Sequence, residues 1–84
     1  MTYYVYLIKT EKKINNKFIS YVGYTNNLKN RLKKHNLGKG AKFTKGNKWK
    51  LIYKKKFISK SKAMSYEYSL KNDKLKRLKI YNNS

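Results

Sequence analysis

A chain of 84 residues with 23 lysines and arginines against three acidic residues, a formal net charge of +20, is expected to form one small domain spanning 1–84 that repels itself unless a polyanion is near. The absence of cysteine and proline excludes a disulfide-stapled secreted module and a zinc–thiolate module, and makes a reducing, cytoplasmic setting the expectation. No apolar run approaches the roughly 18–20 residues of a membrane-spanning helix, and the N-terminal apolar stretch is too short and lacks the basic start of a signal peptide, so no membrane partner is expected.

The richness in Lys, Asn, Ile and Tyr matches an A+T-rich coding bias, but that bias tolerates Asp and Glu codons equally well. The scarcity of Glu11, Glu67 and Asp73 therefore points to selection for positive charge, and a nucleic acid is the expected partner, DNA first with RNA left open. An anionic membrane surface is the weaker reading, because no basic helix with a broad apolar face supports it.

In chain order, Tyr3 to Lys9 and Phe18 to Tyr24 are dense in β-branched and aromatic residues, with Asn15-Asn16 between them at a turn. This predicts a β-hairpin. A two-residue loop at Asn15-Asn16 would place Tyr6 and Ile8 on the same face as Tyr21 and Gly23 by parity. The period then becomes helical: Thr25, Asn26 or Asn27 caps a helix in which Leu28, Arg31, Leu32 and His35 share a face, and Gly38 stops it. A glycine- and lysine-rich loop from Gly38 to Gly46 follows, expected to be flexible and positive. Trp49, Leu51 and Tyr53 alternate in a third strand running to about Phe57. Ser59 or Ser61 caps a second helix with Ala63, Tyr66, Glu67 and Leu70 along one face, and Asp73 caps a last helix holding Leu75 and Leu78. The predicted order is β-β-α-β-α-α, an α+β fold.

These residues resemble the signatures of the GIY-YIG nucleases. Tyr4-Val5-Tyr6 stands where that family has Gly-Ile-Tyr, Tyr21-Val22-Gly23 stands for Tyr-Ile-Gly, and an arginine follows ten residues after Tyr21, at Arg31. The chain is most similar to the small stand-alone bacterial members, which share the run around Tyr21 to Thr25, the His35-x-x-Gly38-x-Gly40-Ala41-Lys42 stretch and a glutamate in the Ala63 to Leu70 segment. The resemblance implies a small three-stranded antiparallel sheet flanked by helices, with the site on the sheet surface. It assigns catalytic roles to Tyr6, Tyr21, Arg31, His35 and Glu67, with Glu67 as the ligand of one Mg²⁺ or Mn²⁺ ion. Tyr24 stands where some members carry a lysine, Tyr4 replaces the first glycine, and Asn72 and Asn82 are the candidates for a late asparagine. Many members also have a separate targeting domain, and this chain would need its own loops or a partner protein for specificity.

Phosphodiester hydrolysis needs an oriented water, neutralised charge at phosphorus and a proton acceptor. A hard cation that keeps most of its waters suits a lone glutamate, and the always-charged fork of Arg31 suits the scissile phosphate. Tyr6 or Tyr21 would serve as base, its phenolate favoured by the metal and the basic field, with His35 as relay or phosphate contact. Tyr24, Lys39, Lys42 and Lys45 are the expected nucleic-acid contacts, and Lys54-Lys55-Lys56 is expected to be a solvated strand edge that follows the backbone. Each residue also has a plainer role: the tyrosines as sheet packing, Arg31 as a surface contact, His35 as a partly buried helix residue, Glu67 as an ion-pair partner of Lys71, and Trp49 and Phe43 as core or loop anchors. The sequence thus leads to a structure- or weakly sequence-selective, metal-dependent DNA endonuclease, with a noncatalytic binding module of the same fold as the alternative.

Overall fold

The computed structural model describes residues 2–83. Its elements run β1 (Tyr3–Thr10), β2 (Ser20–Thr25), α1 (Leu28–Asn36), β3 (Trp49–Phe57), α2 (Lys60–Asn72) and α3 (Lys74–Asn82). This is the α+β order expected from the sequence. The strands form one antiparallel sheet in the order β2-β1-β3, so the strand bearing Tyr6 is the middle one.

Local chemistry places each boundary. Asn15 and Asn16 adopt left-handed backbone angles, φ 51° and 67°, which asparagine tolerates better than most residues and which match the right-handed twist of a hairpin. Ile14 and Lys17 pair across that turn. Glu11, Lys12 and Lys13 then face the single residue Phe18 before Thr10 meets Ile19, so the register shifts by an even number of residues. Parity survives the shift. Tyr6 therefore lies opposite Gly23 and Ile8 opposite Tyr21, on one face as the two-residue loop predicts. The side chains of Asn27, Ser59 and Asp73 accept from the backbone N–H three residues ahead, at 3.1, 3.4 and 3.1 Å, and so cap the three helices.

The alternation expected for Trp49, Leu51 and Tyr53 is broken. Leu51 pairs with Ile8 but Tyr53 pairs with Leu7, an irregularity that leaves Ile52 as the extra residue and turns Tyr53 to the opposite face from Leu51. A two-residue period read along β3 alone cannot reveal a bulge, because the bulge is defined by the partner strand.

Helices cover both faces of the sheet, which is why Val5, Tyr6, Leu7 and Ile8 are buried in succession rather than alternately. Val5, Leu7 and Val22 pack under α2 with Ala63 and Leu70, and Ile80 of α3 joins them. Tyr6, Ile8 and Trp49 pack on the other side, against Leu28 and Leu32 of α1. Full burial of one such aliphatic side chain contributes about 1.5–3 kcal/mol.

Asn36 ties the end of α1 to the start of β3. Its side-chain oxygen accepts from the Trp49 backbone N–H at 2.6 Å, and its amide donates to the Trp49 carbonyl at 3.2 Å. Trp49 is buried, so removing this side chain leaves its backbone N–H without a partner. Asn36→Ala is expected to cost about 1–3 kcal/mol, on the order of 4–8 °C in Tm per kcal/mol. Thermal unfolding followed by circular dichroism measures it.

Candidate active site

Tyr6 starts on the middle strand but its hydroxyl ends across β2. It crosses at Gly23, where an added Cβ would collide with that hydroxyl and lie 2.6 Å from the ring carbon that bears it. Only glycine permits this path. The hydroxyl lies 2.8 Å from Nε2 of His35, which is fully buried on α1.

The other ring nitrogen of His35, Nδ1, is 2.8 Å from the hydroxyl of Thr44, a fully buried residue of the glycine-rich loop. The Thr44 hydroxyl donates its own proton to the Ala41 carbonyl at 3.0 Å, so towards His35 it must accept. His35 therefore carries its proton on Nδ1 and presents a lone pair on Nε2. Into that lone pair Tyr6 donates. Gly40 lets the loop approach, because a Cβ there would collide with the His35 ring. The loop expected to be flexible is anchored in this way, and also through Trp49 Nε1, which donates to the Thr44 carbonyl at 2.9 Å.

The electrostatics agree with the hydrogen bonds. Burial, aided by the Arg31 charge, pushes the His35 pKa below its ordinary value and keeps the ring neutral. Burial pushes the Tyr6 phenol up to about 12, with Arg31 opposing and the neighbouring Tyr21 and Glu67 adding to the rise. Desolvation outweighs the opposing charge of Arg31, so the basic field expected to favour a phenolate does not by itself lower Tyr6.

Five residues singled out by the resemblance gather here. Tyr21 packs edge-on to the His35 ring at 5.3 Å between centroids, and the Tyr6 ring lies 5.7 Å from it. The charges of Arg31 and Glu67 are both felt at the Tyr6 hydroxyl. Glu67 is half-buried, and its carboxylate is 4.0 Å from the ammonium of Lys71 one helical turn on, so the ion-pair role and the metal role compete for the same oxygens. Among the described residues no three His, Cys, Asp or Glu side chains come together. A lone carboxylate fits a hard cation that retains waters and shares substrate oxygens; it does not fit a zinc site.

Among the remaining candidates, Tyr24 is half-buried and lines a recess with Tyr3, Thr25, Asn26, Arg31 and Lys60. Lys39, Lys42 and Lys45 are exposed on the loop that carries Thr44. Lys54 pairs with Tyr6 and Lys56 with Tyr4, on the α1 side, whereas Lys55 pairs with Val5 on the other. Asn72 donates to the Tyr68 carbonyl within its own helix. Trp49 is core, whereas Phe43 is 58 % exposed and stacks on Tyr21 at 5.8 Å. Sequence reasoning missed Thr44. A threonine nine residues past a lone histidine carries no signal until the loop closes over the ring.

A three-stranded sheet bearing Tyr6 and the Tyr21-Val22-Gly23 edge, with an arginine, a histidine and a glutamate brought to that edge by two helices, defines a GIY-YIG domain. The model described as the GIY-YIG catalytic domain matches residues 2–82, and the chain belongs to that family. It is 42 % identical over 80 residues to a UPF0213 protein of Oceanobacillus iheyensis, covering 93 % of this chain and 87 % of that one. It is 43 % identical over 70 residues to a UPF0213 protein of Staphylococcus haemolyticus, covering 82 % of this chain and 79 % of that one. The solution NMR structure of the UPF0213 protein BH0048 from Bacillus halodurans superposes with a TM-score of 0.54 at 34 % identity, over 100 % of this chain and 86 % of that one.

Neutral His35 gives the site a pH signature. Its folded pKa is depressed, so below the unfolded value of about 6.5 the unfolded chain takes a proton that the folded chain resists. Stability is fully present above pH ~6.5 and declines as pH falls towards the folded pKa. In urea titrations from pH 7.5 to 5, His35→Gln should flatten this slope, and a slope that is identical in wild type and variant would remove His35 as its source.

Proposed function

We propose that this chain is a divalent-metal-dependent endonuclease that hydrolyses phosphodiester bonds in DNA, selecting structure, or sequence only weakly. The observation that supports this best is the chain from Tyr6 Oη to His35 Nε2 and from Nδ1 to Thr44, whose Tyr6 end feels the charges of Arg31 and Glu67. The fixed tautomer leaves one lone pair, on Nε2, facing the Tyr6 hydroxyl.

The protonated phenol is competent because it is a relay. A water hydrogen-bonded to Tyr6 Oη transfers a proton to that oxygen as Tyr6 passes its own to His35 Nε2, and no free phenolate forms. Thr44 holds Nδ1–H throughout, so the ring accepts at one atom only. The imidazolium so formed would be costly in a buried site, and its proton is then available for return through Tyr6 once the bond is cleaved. Arg31 takes the non-bridging oxygens of the phosphate, whose charge grows in the transition state. Tyr21, packed against His35, orients the water or the phosphate. Glu67 would hold one Mg²⁺ or Mn²⁺ ion, which when bound supplies charge neutralisation and orients substrate oxygens. Lys39, Lys42, Lys45 and Tyr24 bind the DNA around this point, through the backbone and hence with little base discrimination.

Two substitutions test the roles in single-turnover cleavage of plasmid and branched DNA. Tyr6→Phe should lower the rate by about 10²–10⁴ while DNA affinity persists, since it removes the proton-transfer atom together with its hydrogen bond to His35. Glu67→Gln should abolish cleavage in Mg²⁺ yet leave binding equal or tighter through lost repulsion. Cleavage by Glu67→Gln at the wild-type rate would exclude the metal role, and DNA retardation without metal-dependent cleavage by the wild type would leave a binding module only.

The pH dependence separates the relay from a phenolate base. A relay requires neutral His35, so the rate should fall as pH drops through the depressed His35 pKa and be level above it. A rate that continues to climb towards the Tyr6 value of about 12 would mean that phenolate is the reacting form.

A further inference from the structure

Phe43 is a large apolar residue left 58 % exposed on a loop that is otherwise tied down. One exposed ring is ordinary on a protein surface, but the surroundings of this one are not. It stacks on Tyr21 at 5.8 Å between centroids and 24° between planes, and Tyr21 in turn packs edge-on against His35. Trp49 lies 6.4 Å from it. The next residue, Thr44, is fully buried: its hydroxyl accepts from His35 and donates to the Ala41 carbonyl, and its own carbonyl accepts from Trp49 Nε1. Phe43 is thus held by its neighbour rather than by burial of its own side chain. Its open aromatic surface is fixed in place beside the candidate site, with no ordering left to be done when a ligand arrives.

A recess of about 310 Å³ opens between Phe43, Tyr21 and Val22, bordered by Ser20, Lys71 and Arg77. Tyr21 belongs to the core under α1 and Val22 to the core under α2, so the recess wraps the outer edge of β2, which no further strand covers. Arg77 is half-buried and its Nε donates to the Leu70 carbonyl at 3.1 Å, which fixes the guanidinium. Lys71 is the residue 4.0 Å from Glu67, so the recess also adjoins the candidate metal ligand. Aromatic and aliphatic walls with two cations at their border match a planar, apolar ring that carries a phosphate. An apolar peptide side chain would fill the walls and leave the cations unanswered; a bare phosphate would do the reverse. In a chain of net charge +20, the polyanion is the better match.

Within a duplex both faces of a base are taken by its neighbours, so only a base outside the stack can use Phe43. We propose that Phe43, backed by Tyr21, stacks one extrahelical nucleobase of the substrate, with Lys71 and Arg77 on the adjoining phosphates, so that cleavage is directed to the backbone beside an unpaired base. This rests on the nucleic-acid reading of the site and names the structural feature that the site selects. Lys42 and Lys45, exposed on either side of Phe43, then follow the flanking backbone without regard to sequence.

The test measures binding by the full chain in chelator, so that turnover does not enter, to three short DNA duplexes: one fully paired, one with a single bulged adenosine, and one with an abasic nucleotide at the bulge. The two bulged duplexes carry the same charge and the same extra backbone and differ in one base. The wild type should bind the adenosine bulge about 5–150-fold more tightly than the abasic bulge. Phe43→Leu, which keeps an apolar side chain against Tyr21, should bind the two alike, and Phe43→Trp should keep or widen the difference. All three proteins should bind the paired duplex equally and melt within a few degrees of one another. A wild type that does not distinguish adenosine from the abasic nucleotide overturns the proposal without recourse to any variant, and so does a preference that survives in Phe43→Leu. If Phe43→Leu weakens binding to all three duplexes by one factor, the ring shapes the loop rather than a base site, and the proposal is equally wrong. Failure of the wild type to bind any duplex at low salt would instead overturn the nucleic-acid reading itself.

Discussion

The passage of Tyr6 across Gly23 is the constraint on which the rest of this structure depends. The missing side chain at Gly23 leaves room for the phenol, which fills that space and reaches buried His35. Register then decides the geometry of the candidate site. A slip of one residue between β1 and β2 would turn Tyr6 to the α2 side and put a side chain where Gly23 stands, so the Asn15-Asn16 turn and the even register shift after it protect the site as well as the sheet.

The two faces of the sheet do different work. Under α2 the buried set is wholly aliphatic, Val5, Leu7, Val22, Ala63 and Leu70, and contributes hydrophobic stabilisation alone. Under α1 the buried set includes Tyr6, His35 and Thr44, whose polar atoms must find partners or cost a few kcal/mol each. They partner one another. Among the described residues no buried side-chain nitrogen or oxygen lacks a hydrogen bond, so the polar side of the core is rigid as well as chemically specific.

How much of this was legible in the sequence follows from the range of each interaction. Helix caps at Asn27, Ser59 and Asp73, the hairpin turn, and the shared face of Arg31 and His35 depend on residues within a few positions, and each could be read directly. The spacing of the signature residues carried the site, because the resemblance fixes tyrosine, arginine, histidine and glutamate jointly. What could not be read depends on partners far along the chain. The bulge at Ile52 is set by β1, the role of Thr44 by the folding of its loop over α1, and the protonation of Tyr6 by how much water its crossing of Gly23 excludes. The basic field and a metal were both expected to favour a phenolate, and burial acts on Tyr6 in the opposite sense, because a buried hydroxyl responds more to the water it has lost than to lysines on the surface.

That last point bears on why so basic a protein keeps a neutral histidine. In a chain with 23 cationic side chains, an exposed histidine would still be partly charged near neutral pH and screened by salt. Burial and the adjacent Arg31 act in the same direction on His35, and the Thr44 hydroxyl adds the choice of nitrogen. The Tyr6 proton then has one acceptor and one path. A strongly positive surface and a core pocket whose dryness holds a neutral base are therefore compatible in 84 residues, because the field acts at long range while desolvation acts within a few ångströms on the ring.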